Sequence, residues 1–188
     1  MDTNPPFLRR TQAKCSACGG KIEIPETNAI TILKCKFCNS TYEYNPATQI
    51  APSLIFEDGE KGRHRITMVD NIVICRGSGK GYMCIVCEAD QSLIQYIPIR
   101  NRFVSRKRHV KINVKPEFKF LSNEKSAKIV SRKKCLIQDC SSTNGTSVNG
   151  HMLNPDESKE LRNDDLIILA PLSPMPLKIL FKETILTN

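Results

Sequence analysis

Short runs of alternating apolar and polar residues recur along most of the chain. From residue 54 onward, runs such as RITMV, NIVIC, GYMCIVCE, HVKINV, FKFL, KIV, CLIQD and LKILF are separated by polar turns such as GSGKG, SNEK and RNDD. No stretch has a sustained helical period, and NPDESKEL, the one candidate for a helical turn, is short enough to be a loop. Many short strands separated by turns are typical of a β-sandwich or barrel. The sequence therefore predicts an all-β fold.

Four cysteines near the N-terminus have the spacing of a metal site. Cys15 and Cys18 form one C-x2-C pair, and Cys35 and Cys38 form a second pair after a 16-residue spacer. Strand-like runs KIEI, AITIL and STYEY surround the pairs. Two such pairs at this spacing are typical of a four-thiolate zinc site, and the group resembles a zinc ribbon. A closed tetrahedral site leaves no position for a reactive water, so we expect a single structural Zn²⁺.

The same reading predicts how the chain is divided. We expect the zinc ribbon over residues 1–45 and a linker over residues 46–53, where Pro46 and Pro52 interrupt the pattern. A β-sandwich domain is expected over residues 54–188. A third C-x2-C pair, Cys84 and Cys87, falls inside a predicted strand, where residues three apart face opposite sides. These two cysteines are therefore expected to be ordinary packed residues and not metal ligands.

Positive charge is concentrated in one segment. The chain has a formal net charge of +9, and residues 100–134 hold 13 Lys and Arg against two Glu. A basic face attracts the phosphate of nucleic acid, anionic lipid or phosphoprotein. No run reaches the length of a membrane span. The odd total of nine cysteines and the absence of an apolar leader predict reduced thiols and a cytoplasmic location.

The stretch CSSTNGTSVNG contains two Asn-Gly pairs. Asn-Gly is a strong turn signal because both residues tolerate positive φ. Two turns this close cannot both lie inside strands, so the stretch is predicted to be a loop, a very short strand and a second turn. Its hydroxyl and amide groups either serve only to form turns or are presented to a ligand.

Four blocks occur in a fixed order: NIVICRGSG, FVSRKRHVKI, LIQDCSSTNGTSVNG and LRNDDLIIL. Together they resemble the forkhead-associated (FHA) domain over roughly residues 54–182. The resemblance implies a two-sheet β-sandwich that binds phosphothreonine in partner proteins through loops at one end. The order of a zinc ribbon followed by such a domain also resembles an arrangement found in bacterial proteins.

The resemblance implies a set of binding residues. Arg76 corresponds to the family's phosphate-binding Arg. Ser105 and Arg106 match the pair that donates to the phosphate, and Thr143 and Asn144 match the residues that hold the bound peptide and its backbone. A phosphothreonine carries nearly two negative charges and three acceptor oxygens, so it requires Arg together with hydroxyl and amide donors.

The chain departs from the family pattern at three places. Cys75 stands where the family has a Gly before its Arg, and Asp164 replaces another Gly, which Asp tolerates because it visits positive φ more readily than most residues. SRKRH holds one residue more between Ser and His than the family spacing. Either this loop bulges with Ser105 near the phosphate, or Arg106 occupies the Ser position. His109 is, by the resemblance, a structural residue that braces the loops.

Three classes of function follow from these observations. The first is a non-catalytic adaptor that binds phosphothreonine, and the second is a phospho-independent protein-interaction module. The third is a nucleic-acid-binding protein that uses the zinc ribbon and the basic segment 100–134, although aromatic residues make up only 6% of the chain and Trp is absent. No Walker loop, H-E-x-x-H motif or nucleophile elbow is present, so an enzyme is not expected.

Overall fold

The computed structural model of the protein describes residues 11–57, 63–78, 81–123 and 126–187. Every regular element in these ranges is a β-strand, which confirms the predicted all-β fold class. Across the same ranges no helix is long and apolar enough to span a membrane. Residues 1–10 of the predicted ribbon, and parts of the predicted turns GSGKG (residues 79–80) and SNEK (residues 124–125), lie outside the described residues.

Fifteen strands are present in the described part of the chain. They are β1 (Thr11–Lys14), β2 (Lys21–Ile24), β3 (Thr31–Lys34), β4 (Thr41–Glu57), β5 (Arg63–Thr67), β6 (Ile72–Arg76), β7 (Tyr82–Cys87), β8 (Leu93–Arg100), β9 (Val110–Asn123), β10 (Ser126–Asp139), β11 (Thr146–Val148), β12 (His151–Met152), β13 (Ser158–Glu160), β14 (Leu166–Leu169) and β15 (Leu177–Thr187).

Three strands are longer than the sequence indicated. HVKINV and FKFL are one strand, β9, and KIV and CLIQD are one strand, β10. Residues 46–53, expected to be a linker, lie inside the 17-residue strand β4. Proline is usually a sign of a strand boundary, yet Pro46 and Pro52 in β4 and Pro116 in β9 all lie within strands.

The chain divides into two compact units, and the larger comprises Ile50–Pro116 and Lys133–Ile185. Its strands follow the order β12-β11-β14-β15-β4-β10-β9-β6-β7-β8, with β5 beside β4 and β13 beside β10. Inward side chains from both ends of this order meet in one apolar core, as expected of a two-sheet sandwich. Its largest fully buried side chains include Leu54, Phe56, Ile74, Met83, Ile85, Ile97, Ile112, Ile137 and Phe181.

The smaller unit comprises Met1–Gln49, Glu117–Arg132 and Leu186–Asn188. In it β1 pairs with β2 and β3 pairs with the start of β4, each antiparallel. Tyr42 and Tyr44 are buried and make edge-on ring contacts with Phe120 and Phe118, at centroid distances of 5.0 and 6.1 Å. The ribbon core is therefore built partly from β9 and β10, far from it in sequence.

Candidate functional site

Arg76, at the end of β6, is held by the loop that precedes β9. Its backbone N–H donates to the carbonyl of Ser105 at 2.8 Å. Its Nη1 donates to the carbonyl of Arg102 at 2.7 Å. Its Nε is buried and has no hydrogen-bond acceptor among the described residues. A guanidinium has five N–H donors, so this side chain is positioned while keeping donors available for an anion.

His109 joins that loop to a second one through both ring nitrogens. Its Nδ1 accepts the backbone N–H of Ser105 at 3.0 Å, so the ring proton lies on Nε2, which donates to the carbonyl of Gly145 at 3.0 Å. The ring is fully buried, and burial lowers the pKa of His109 below its ordinary value although the Gly145 carbonyl acts against this. His109 thus connects two loops as a neutral ring.

The extra residue in SRKRH is accommodated beyond Ser105. The backbone of Ser105 bonds to Arg76 on one side and to His109 on the other, whereas Arg106 is exposed. Main-chain bonds therefore tie Ser105, and not Arg106, to the Arg76 backbone. The assignment of both residues as phosphate donors stays a prediction.

Asn144 lies where three loops meet. Its Nδ2 donates to the carbonyl of Phe103 at 2.9 Å, and its own carbonyl accepts the N–H of Leu172 at 3.4 Å. The next residue, Gly145, has a φ of 71° and accepts the N–H of Ala170 at 3.0 Å. A side-chain amide bonded in this way fixes the spacing of the loops around it.

Thr143 lies beside Asn144 at the surface. Thr143 is exposed, and no hydrogen bond of its hydroxyl occurs among the residues that the structure describes. The structure thus brings together Arg76, Ser105, Thr143 and Asn144, which lie on connected loops at one end of the sandwich. Arg106 is exposed on the same loop as Ser105.

Asp139, which the sequence pattern did not single out, holds the Asn144 loop through residues on either side of Asn144. Its buried carboxylate accepts the N–H and hydroxyl of Ser142 at 2.8 and 2.7 Å and the hydroxyl of Thr146 at 2.5 Å. Asp is favoured at the start of turns because its side chain can accept nearby backbone N–H groups, and this preference could have identified the residue.

The second Asn-Gly pair has a different role from the first. Asn149 and Gly150 have φ values of 51° and 80° and connect β11 to β12. The Asn149 side chain donates to Asp165 at 2.7 Å and accepts the N–H of Leu166 at 2.8 Å. Since β14 begins at Leu166 and ends near Gly145, this turn lies at the opposite end of the sandwich. Half of the polar stretch is therefore scaffold.

The departures from the family pattern are accommodated within strands and turns. Cys75 is buried and lies opposite Cys84 in the β6–β7 pair, and burial raises its pKa to about 11. Asp164 has a φ of 72°, the left-handed conformation expected of a residue that replaces Gly. Cys84 is buried and Cys87 half-buried in β7, and neither belongs to a cluster of metal-ligating side chains in the described residues.

The four N-terminal cysteines come together in the smaller unit. The sulfur atoms of Cys15, Cys18, Cys35 and Cys38 all lie within 4.8 Å of one another, with 3.6 Å between Cys15 and Cys38 and 3.6 Å between Cys18 and Cys35. Zn–S bonds of about 2.3 Å in a tetrahedron place the sulfurs about 3.8 Å apart. These distances fit a four-thiolate metal site, as the spacing predicted.

The two knuckles have the same backbone geometry. In each, the N–H of the residue after the second cysteine donates to the carbonyl of the first cysteine, at 2.8 Å for Gly19 and 3.0 Å for Asn39. Both residues are left-handed, with φ values of 74° and 62°. The hydroxyl of Tyr42 lies 3.1 Å from the sulfur of Cys15. This hydrogen bond is the main reason that the pKa of Cys15 is lowered to about 6. Tyr42 is a contact that the cysteine spacing did not reveal.

The basic segment is not uniformly available to a partner. Four strand cations of this segment form ion pairs with glutamates, at N–O distances of 2.7 to 3.8 Å. These pairs are Lys111–Glu88, Lys128–Glu43, Arg132–Glu117 and Lys134–Glu160.

The cations of residues 100–108 are in a different environment. Arg100 lies over the ring of Tyr82 at 5.1 Å, and Arg102 lies over the ring of Phe103 at 4.9 Å. Three more cations, Arg106, Lys107 and Arg108, are exposed, and none of the five takes part in an ion pair among the described residues. Five of the segment's unpaired cations thus lie in or beside the loop that holds Arg76, whereas Lys115 and Lys133 lie in strands.

Residues 91–170 match the family model of the FHA domain. No curated protein matches the chain in sequence. Among solved structures, full-length yeast Pml1p is 20% identical with a TM-score of 0.46, covering 72% of this chain and 83% of its own.

Two further solved structures are FHA domains. The N-terminal FHA domain of S. cerevisiae Rad53p, in complex with a phosphothreonine peptide, is 15% identical with a TM-score of 0.42 and covers 71% of this chain and 94% of its own. The FHA domain of an Arabidopsis thaliana hypothetical protein is 20% identical with a TM-score of 0.43. The match covers 74% of this chain and 88% of that protein's chain. The match to the FHA family model thus covers a segment that lies within the all-β sandwich.

Proposed function

We propose that the protein is a non-catalytic adaptor whose FHA-like domain binds phosphothreonine-containing segments of partner proteins, and that its four cysteines hold a structural zinc ion. The observation that carries the first part is the environment of Arg76. Its backbone and Nη1 are held by the 101–109 loop, which leaves guanidinium N–H donors on Nη1 and Nη2 without an acceptor among the described residues. A phosphate oxygen is the acceptor that such a donor set accommodates.

The surrounding loops supply what a bound peptide requires besides charge. Asn144 joins the Phe103 and Leu172 backbones, so the loops that would flank the peptide have a fixed spacing. Thr143 presents an exposed hydroxyl. Preformed loops lower the entropy cost of binding, and a single phosphate contact of this kind is consistent with affinity on the order of micromolar.

The nucleic-acid alternative receives less support from the charges. Binding a nucleic-acid backbone requires several unpaired cations that follow successive phosphates. In strands β9 and β10, four Lys and Arg side chains are instead paired with glutamates. Five unpaired cations, residues 100–108, lie together at one end of the sandwich, which suits a compact anionic ligand better than an extended one.

The decisive experiment compares peptide pools that differ only in phosphorylation. Fluorescence anisotropy would measure binding of the full chain to degenerate phosphothreonine, phosphoserine, phosphotyrosine and unphosphorylated pools. We expect selective binding to the phosphothreonine pool. Arg76→Ala should weaken it about tenfold or more, because hydrogen bonds to charged groups contribute about 1.5–3 kcal/mol each.

Arg162→Ala is the matched control, since it removes one exposed Arg from a loop at the other end of the sandwich. It should leave the affinity unchanged. Equal binding of all four pools, or full binding by Arg76→Ala, would refute the phosphothreonine assignment.

The zinc proposal rests on the donor set and its geometry. Four thiolates at tetrahedral spacing favour Zn²⁺ and leave no open coordination position, so the ion would stabilise the ribbon and supply no reactive water. We expect about one zinc per chain in metal analysis of the purified protein. Cys18→Ser should reduce the zinc content, whereas Cys87→Ser, outside the cluster, should not. Unchanged zinc content in Cys18→Ser would contradict the proposed ligand set.

A further inference from the structure

The loops around Arg76 contain positive residues, and the carboxylate that contacts them, Asp139, is buried and bonded to Ser142 and Thr146. Hydrogen bonds connect residues 77–78 and 81 with residues 101–109, 140–145 and 170–176 at this end of the sandwich. They include Asn101 N–H to the Gly81 carbonyl at 3.4 Å and Asn101 Nδ2 to the Met175 carbonyl at 2.7 Å. No Asp or Glu occurs in any of these four segments. Their cations within the described residues are Arg102, Arg106, Lys107 and Arg108.

This charge exceeds what a single phosphothreonine requires. The phosphate carries about −1.5 to −2 at neutral pH, and Arg76 with nearby hydroxyl and amide donors is suited to hold it. Apart from Arg106, which is itself a predicted phosphate donor, Arg100, Arg102, Lys107 and Arg108 remain, without an ion pair among the described residues. Cations brought together without counter-charges repel one another, so an anionic partner gains from their combined field.

The loop that carries these cations is held in place by its own hydrogen bonds. Asn101 Oδ1 accepts the N–H of Phe103 at 2.9 Å, Phe103 in turn accepts Asn144 Nδ2, and Ser105 is bonded to His109. A fixed backbone places the charged side chains in one region, so that the ligand does not have to order the loop itself. The entropy lost on binding is then mainly that of ordering the side chains.

We propose that this site selects phosphothreonine segments that carry additional negative groups close to the phosphothreonine, either Asp and Glu carboxylates or a second phosphate. Lys107 and Arg108 are the specificity-determining residues for these groups. This inference rests on the proposed phosphothreonine function. It adds a property of the chain's own SRKRH loop, whose extra residue relative to the family spacing makes room for three consecutive cations.

The magnitude follows from the exposure of these side chains. Exposed ion pairs each contribute little, so no single flanking carboxylate should dominate. Two or three of them together should tighten binding by about five- to tenfold at moderate salt. The gain should appear largely in the association rate, because electrostatic complementarity steers the encounter.

Four peptides of identical length test the proposal by fluorescence anisotropy with the full chain. One has phosphothreonine in a neutral Ala/Ser context, one has Asp and Glu around the phosphothreonine, one has a phosphoserine near it, and one is the acidic peptide without phosphate. We expect the second and third to bind about five- to tenfold more tightly than the first, and the fourth to bind weakly. Comparison of the second with the third identifies the preferred anion.

Lys107→Gln with Arg108→Gln should remove most of this preference and leave the neutral phosphothreonine peptide within about twofold of the wild-type affinity. Lys115→Gln with Arg162→Gln removes the same charge from exposed positions elsewhere and should retain the preference. Equal binding of all phosphothreonine peptides, or loss of the preference in both double variants, would overturn the inference and leave the proposed function intact. Failure of every phosphothreonine peptide to bind would overturn the proposed function itself.

Discussion

At the scale of single residues, the buried polar side chains define the site more than the exposed ones do. His109 and Asp139 are buried and together bond to Ser105, Gly145, Ser142 and Thr146. A buried polar group is costly unless each of its partners is present, so both residues fix the loops to one arrangement.

His109 should make the free energy of unfolding depend on pH. Its pKa lies below the ordinary value of 6.5 in the folded protein because burial disfavours the charged ring. The unfolded chain therefore binds a proton more readily between the folded pKa and 6.5, and stability should fall as pH drops below about 6.5. Protonated Nδ1 also could not accept the Ser105 N–H.

Urea unfolding between about pH 5.5 and 7.5 would measure this effect. His151→Gln removes an exposed histidine and its 2.9 Å contact with Glu157, and it should still show the decline, because that contact is strengthened and not lost at low pH. His109→Gln should lose the part of the decline that belongs to the buried ring. A wild-type stability that is flat or rises as pH falls through this window would contradict the assignment.

The bond between Thr146 and Asp139 can be tested by an isosteric change. Thr146→Val removes a hydroxyl that donates to a buried carboxylate, and it should lower the free energy of unfolding by about 2 kcal/mol. Thr143→Val is the matched control in the same loop, because Thr143 is exposed, and its cost should be under about 0.5 kcal/mol. Chemical denaturation of both variants gives the comparison, and equal costs would show that the Asp139 contact does not matter.

At the scale of elements, a substitution in the turn from β11 to β12 should lower the stability of the protein without changing its affinity for a peptide. Gly150 has a φ of 80° and open space where a Cβ would lie, so a side chain there is strained but does not clash. Gly150→Ala should cost about 1–2 kcal/mol of stability. Affinity for a phosphothreonine peptide should not change, since the turn lies at the end of the sandwich away from Arg76. Reduced affinity in a folded Gly150→Ala protein would mean that the two ends are coupled.

The strands also indicate which features a sequence can and cannot predict. Runs such as NIVIC and CLIQD have the alternation and β-branched content that favour strands, and the cysteine spacing directly encodes a four-sulfur cluster. The prolines of β4 indicated a break that did not occur, because a long strand can accept Pro where its missing N–H is not needed. Strand alternation in FKFL could not reveal that Phe118 and Phe120 pack on tyrosines of the ribbon, because side-chain partners distant in sequence are set by tertiary structure.

At the scale of the whole molecule, paired and unpaired cations determine how binding responds to salt. Compact binding of one phosphothreonine in a neutral peptide should weaken only about threefold between about 50 mM and 200 mM salt. A protein that follows a nucleic-acid backbone through six to ten contacts would lose about a thousandfold or more over the same range. Anisotropy titrations at both salt concentrations, with a neutral phosphopeptide and with duplex DNA, measure the two slopes. A steep slope with tight DNA binding would favour the nucleic-acid function instead.

The hydrogen bonding of the two Asn-Gly pairs has a consequence for the chemical ageing of the protein. An asparagine followed by glycine loses ammonia when the glycine nitrogen attacks its side-chain carbonyl, and hydrolysis of the resulting ring leaves aspartate or isoaspartate. Both ends of the Asn149 amide are hydrogen-bonded, whereas within the described residues only Nδ2 of Asn144 is. Deamidation at Asn144 is therefore favoured by its free side-chain carbonyl, although the attacking Gly145 N–H is bonded to the Ser142 carbonyl at 3.2 Å. It would place a carboxylate among the loops around Arg76, so a stored preparation should lose affinity for phosphorylated partners while still unfolding as one intact protein.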